Sequence, residues 1–172
     1  MKKIYSFLAL LTFSSVTCAS VQDYLPEAKL QGKDVSPFNV GLGVTQQLAH
    51  VNGEWVNPYG IAYLKAGAYL NGDHTFGGQV GFRYPYYLTG KNQNGYYLGV
   101  YAGTLESRRV DNDYTSRLGG GVDLAYVWLN KDRISTFSVG IGAAEALKNT
   151  DGSTVVDTKP QLQFAYTLSF GL

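Results

Sequence analysis

Few residues in this chain could do chemistry, and most of them are isolated charges. Lys65, Arg83, Arg117 and Asp123 each sit in a stretch where side chains alternate in character, and each falls on the polar side of that alternation. Charges on one enclosed face must pair or be hydrated, and could also select or gate a solute. Tyr63, Tyr97 and Tyr101 fall on the same side and add bulk, which favours a filled structural plug over a passage. The two histidines, His50 and His74, have no serine within three positions, and neither Gly-x-Ser-x-Gly nor His-Glu-x-x-His occurs. A triad can assemble from distant segments, so the test of catalysis is spatial. Gly119-Gly120-Gly121 lacks the following Lys-Ser/Thr of a phosphate loop. Asp111-Asn112-Asp113 has the donors for a divalent cation, although a solvated loop tip explains it better. The neighbouring Arg108 and Arg109 suit phosphate, because a guanidinium meets it as a bidentate fork. No catalytic residue, cofactor or metal site is expected.

The elements that must position these residues are strands. Leu162, Phe164, Tyr166, Leu168, Phe170 and Leu172 alternate with Gln161, Gln163, Ala165, Thr167, Ser169 and Gly171. A period of two gives one apolar and one polar face. Similar alternation runs from Phe38 to Thr45, Tyr59 to Leu70, Thr75 to Tyr84, Tyr96 to Gly103, Arg117 to Trp128 and Thr136 to Ala143. Asn71-Gly72-Asp73 and Asn130-Lys131-Asp132 read as tight turns. His50–Trp55, centred on Asn52-Gly53, reads as a connection, as do most of Tyr86–Gly95, Glu106–Tyr114 and Leu147–Thr158. That makes seven strands, whereas closed single-chain membrane barrels usually have an even number, from about eight upward. Ala28–Ser36 and then Gly152–Thr158 are the candidates for the eighth.

Composition agrees with a barrel whose apolar face meets lipid. Lys2 and Lys3, the apolar run Ile4–Phe13 and the small residues Ser14–Ser20 form a secretory signal over residues 1–19, cut after residue 19 or 20. Its apolar run is too short to span a membrane as a helix. Cys18 lies within it; Ser15-Val16-Thr17 lacks the leucine expected before a lipidated cysteine. Without Lys2 and Lys3 the 14 basic residues become 12 against 13 acids, a net charge of −1 that offers no field for nucleic acid. The 14 tyrosines suit membrane–water boundaries, and the 21 glycines allow close packing inside a narrow barrel. Tyr84, Tyr96, Tyr126, Trp128 and Tyr166 are expected to form girdles at the two boundaries. The expected organisation is the signal, an N-terminal segment 20–35 that could hold the first strand, and an antiparallel up-and-down transmembrane β-barrel over 36–172.

The segment Gly95-Tyr96-Tyr97-Leu98-Gly99-Val100-Tyr101, continuing through Gly119–Val122, Ala125–Trp128 and Ser138–Gly142, resembles the small outer-membrane barrel families. These are the OmpA-type barrel, the OmpX/Ail group and the opacity-like proteins. The last strand is similar to the signal read by the outer-membrane assembly machinery, with Phe170 and then Leu172 in place of a terminal Phe. The resemblance covers the second half of the chain and carries over no catalytic residue. It implies a monomer in the outer membrane of a Gram-negative bacterium, escorted there by periplasmic chaperones, with lipid and lipopolysaccharide as neighbours. The expected role is membrane stabilisation or contact of external loops with lipopolysaccharide or host surfaces, with Arg108 and Arg109 meeting lipopolysaccharide phosphate. A narrow ion or solute channel is the alternative, and a lipid A-modifying enzyme the second.

Overall fold

A computed structural model describes residues 26–30, 35–71, 75–89, 93–110, 113–148 and 153–172. Ten strands occur there: β1 (Phe38–Thr45), β2 (Leu48–Asn57), β3 (Gly60–Tyr69), β4 (Phe76–Leu88), β5 (Gly95–Val110), β6 (Asp113–Leu129), β7 (Arg133–Ala144), β8 (Leu147–Lys148), β9 (Thr154–Val156) and β10 (Pro160–Gly171). Eight of them close an antiparallel barrel in the order β1-β10-β7-β6-β5-β4-β3-β2, while β8 and β9 form a small hairpin in the last connection. The described residues are all-β, and each barrel strand pairs with its neighbours in sequence until β10 returns to β1.

The register fixes the tilt. Val40 pairs with Gly53, and the row continues through Leu64, Val80, Ala102, Gly120 and Ala143 to Pro160. Val40's own partner on β10 is Phe170, so the circuit closes ten residues out of step, from 160 to 170. A slip of about 33 Å along the strands over roughly 38 Å of circumference tilts them by about 40°, within the range of small barrels.

Alternation decides the two faces. Leu42, Val100, Val122, Ile141 and Leu162 stand on the outside, each half or more exposed. Inside, the buried polar and charged side chains outnumber the buried apolar ones among the described residues. A barrel folded by burying oil within would show the opposite.

The eighth strand is β2, not either sequence candidate. Ala28–Ser36 carries no strand where it is described, and the strand within Gly152–Thr158 is β9, outside the barrel. Asn52-Gly53 is no turn: Asn52 pairs with Lys65 and Gly53 with Leu64 in mid-strand. Glu106–Tyr114 also departs from the expected loop. β5 and β6 stay paired to Val110 and Asp113, so the hairpin projects beyond the rest of the barrel. A bulge between Thr104 and Glu106 shifts the inward phase there, and Leu105 and Glu106 are both buried. Tyr86–Gly95 splits too, since β4 runs to Leu88 and β5 starts at Gly95. The five girdle aromatics do not form two belts; each lies toward the chain-termini end of its strand, where Tyr96, Tyr126 and Trp128 stack edge to face at 5.0 and 4.7 Å.

At that end the N-terminal segment straps the mouth. Leu30 is buried against Ile61, Tyr97, Ala125, Val127, Leu129 and Ile134, with Val35 packed on the same cluster. The Leu30 amide donates to Pro58 O at 3.0 Å, and Lys29 Nζ donates to Tyr86 O at 3.1 Å while lying 5.2 Å from the Tyr84 ring. Across the mouth, the Ser36 amide donates to Lys131 O at 3.2 Å, and its hydroxyl donates to the carbonyls of Phe38 and Leu172. The strap therefore ties opposite walls together.

Candidate functional site

The interior is a column of side chains in three tiers. Nearest the termini lies the apolar cluster around Leu30, where Tyr97, fully buried, donates its hydroxyl to Gln93 O at 2.9 Å. The middle tier is charged. Arg83 on β4 donates from Nη2 and Nε to Asp123 Oδ2 on β6 at 2.7 and 3.2 Å, and Nη2 reaches Ser138 Oγ on β7 at 3.2 Å. The guanidinium lies 4.4 Å from the Tyr63 ring centre, and Lys65 Nζ lies 5.0 Å from the same ring. One aromatic thus faces two cations, an attraction that strengthens away from water. Gly99 makes the pair possible, because a Cβ there would land on Asp123 Oδ1.

The far tier is built round Arg117. Its Nη1 pairs with Glu106 Oε1, while Nε donates to Glu145 O at 2.8 Å and Nη2 reaches Asp157 O at 3.2 Å. Each guanidinium edge therefore holds a different segment, and the β7–β10 connection is pinned over the mouth. Tyr101 packs between the two tiers, against Tyr63 of the middle tier and Leu105 and Ala144. Arg108 lies on the projecting hairpin, largely exposed, with its Nε 3.3 Å from Glu106 Oε2.

Lys65, Arg83, Arg117, Asp123, Tyr97 and Tyr101 all lie in the interior, but not as one network. Arg83 with Asp123 and Arg117 with Glu106 are separate pairs in separate tiers. Reading His50–Trp55 as a connection hid the polar wall of β2, where His50, Asn52 and Glu54 are buried. Asn52 Nδ2 donates to Ser169 Oγ at 2.7 Å. The signal was present, since these three alternate with Ala49, Val51 and Trp55. His50 joins no relay: no side chain described is hydrogen-bonded to either ring nitrogen. His74, Asp111, Asn112 and the signal segment lie outside the described residues, and nothing is described of the Asp113 side chain.

Other middle-tier atoms are unpaired as well, including Glu54 Oε2, Asn52 Oδ1, Gln79 Oε1, Asp123 Oδ1 and Thr167 Oγ1. Buried polar atoms left so by the protein call for enclosed water. What the column can do chemically is hold the walls together through paired charges in a closed centre.

The arrangement defines a class: a closed eight-stranded antiparallel barrel, apolar outside and charged within, with both mouths covered. No protein-family model, curated protein or solved structure matches this chain.

Proposed function

We propose that this chain is a small outer-membrane barrel of the kind it resembles in sequence, with a structural and surface-contact role. The observation that carries this is the inverted distribution of side chains. An outward band of Val, Leu, Ile and Phe encloses a charged column, which is stable where lipid surrounds the barrel. In water the same band would be a large exposed apolar patch. On this reading the strapped end and the C-terminus face the periplasm. The β5–β6 hairpin and the pinned connection 145–159 face outward, as the longer, more polar connections of such barrels do.

The plugged tiers favour structure over transport. Leu30 and its neighbours fill one mouth, Arg117 binds a loop over the other, and the cations between them are held against acids or an aromatic ring. The test is cell fractionation with cold and boiled gel migration of the native protein. The expected result is recovery with the outer membrane and a band whose migration changes on boiling. A soluble protein with no such change would overturn the reading.

A further inference from the structure

Two of the cavities described, about 720 and 450 Å³, open on the outward apolar band. A third, about 500 Å³, is different in chemistry and position. It lies at the far end, between the turn after β1, the segment after β3 and the projecting β5–β6 hairpin, a size usual for ligand sites. Gln47, Asn71, Ser107, Arg108, Arg109 and Tyr114 line it, and among the described residues no carboxylate does. Asn71 Nδ2 donates to Ser107 O at 2.8 Å, so the amide bridges the end of β3 to the hairpin and fixes the wall.

That bond leaves Asn71 Oδ1 buried with no donor, and Ser107 Oγ, on a residue only 3 % exposed, with no partner at all. One acceptor and one hydroxyl therefore wait for a group that both donates and accepts. A sugar hydroxyl does both. Tyr114 offers an aromatic face for the carbon side of a pyranose, and the Arg108 guanidinium offers a fork for an anion. Glu106 holds one edge of Arg108 through Nε and leaves this long side chain anchored beside the cavity.

We propose that this cavity binds a phosphorylated sugar, with Asn71 and Ser107 reading its hydroxyls and Arg108 its phosphate. The inference deepens the surface-contact role proposed above and rests on that end facing outward. Such a sugar could be a membrane glycolipid headgroup or a soluble sugar phosphate, and the chemistry is shared.

The mature chain in detergent micelles should show saturable transfer in saturation-transfer NMR with glucose 1-phosphate, and much less with glucose. Asn71→Leu and Arg108→Gln should each weaken binding about tenfold, since each removes a hydrogen bond to a charged or otherwise unpaired group. Arg108 is largely exposed, so its variant keeps the boiling-dependent shift and separates lost binding from lost folding. In nanodiscs containing phosphorylated lipid A, loss of the glucose 1-phosphate signal assigns the site to a lipid headgroup; persistence assigns it to a soluble sugar phosphate. No saturable binding, or binding equal in wild type and both variants, overturns the inference. If that happens in a protein that fractionates with the outer membrane and shifts on boiling, only this inference fails.

Discussion

Arg83 and Asp123 are 2.7 Å apart with their side chains 1 % and 5 % exposed, so each depends on the other for the charge it carries inside. Attraction offsets desolvation only while both partners remain, and a single removal leaves the survivor unpaired. Arg83→Ala should therefore destabilise the barrel by about 3–5 kcal/mol, and Asp123→Ala by a similar amount. The double variant Arg83→Met/Asp123→Ala should recover most of that loss, because no buried charge is then stranded. Urea unfolding in phospholipid vesicles, followed by tryptophan emission, measures all three. If the two single losses add in the double variant, the pair acts only through packing. Arg117 differs, since its partners are mostly backbone carbonyls and its removal frees a loop.

Among the elements, the strap at the termini end makes the most specific prediction. Leu30 sits in an apolar cluster that does not depend on it alone, because Ile61, Val127, Leu129 and Ile134 still meet beneath it. Leu30→Ala should cost about 2–3 kcal/mol, as for other buried leucines. Removing residues 21–35 should leave a barrel that still shifts on boiling and still passes no current in a planar bilayer. Step conductance after that deletion would make the strap a gate. The strap was not legible in the sequence: Pro26–Leu30 has no period, and its role comes from the mouth it crosses. β1, β7 and β10 were legible because small or polar inward residues alternate with bulky outward ones. β2 was missed because Asn52-Gly53 carries turn chemistry, yet a sheet partner on each side overrides that local preference. The far ends of β5 and β6 were missed for a second reason: the bulge after Thr104 breaks the period where charged residues begin. Arg83 and Asp123 could be placed on inward faces from the alternation of β4 and β6, but their pairing could not. It needs the register that carries Arg83 to Gly99 and Gly99 to Asp123 across β5.

For the molecule as a whole, the question is which solvent surrounds the barrel, and a single outward residue can report it. Val122 is 54 % exposed near the middle of the apolar band, with Val100 and Ile141 beside it on the neighbouring strands. If lipid covers this band, Val122→Arg must bring a guanidinium to the depth where hydration is poorest, at a cost of about 2–4 kcal/mol. If water covers it, the same change removes one exposed apolar side chain and costs close to nothing. Thr115, exposed on the projecting hairpin, supplies the matched control, because an arginine there stays hydrated in either case. The expected pattern is a large loss of unfolding free energy in vesicles for Val122→Arg and a negligible one for Thr115→Arg. Equal, small effects at both positions would mean that the apolar band is covered by something other than a bilayer. The comparison depends on position alone, because both variants add the same charge to the same strand.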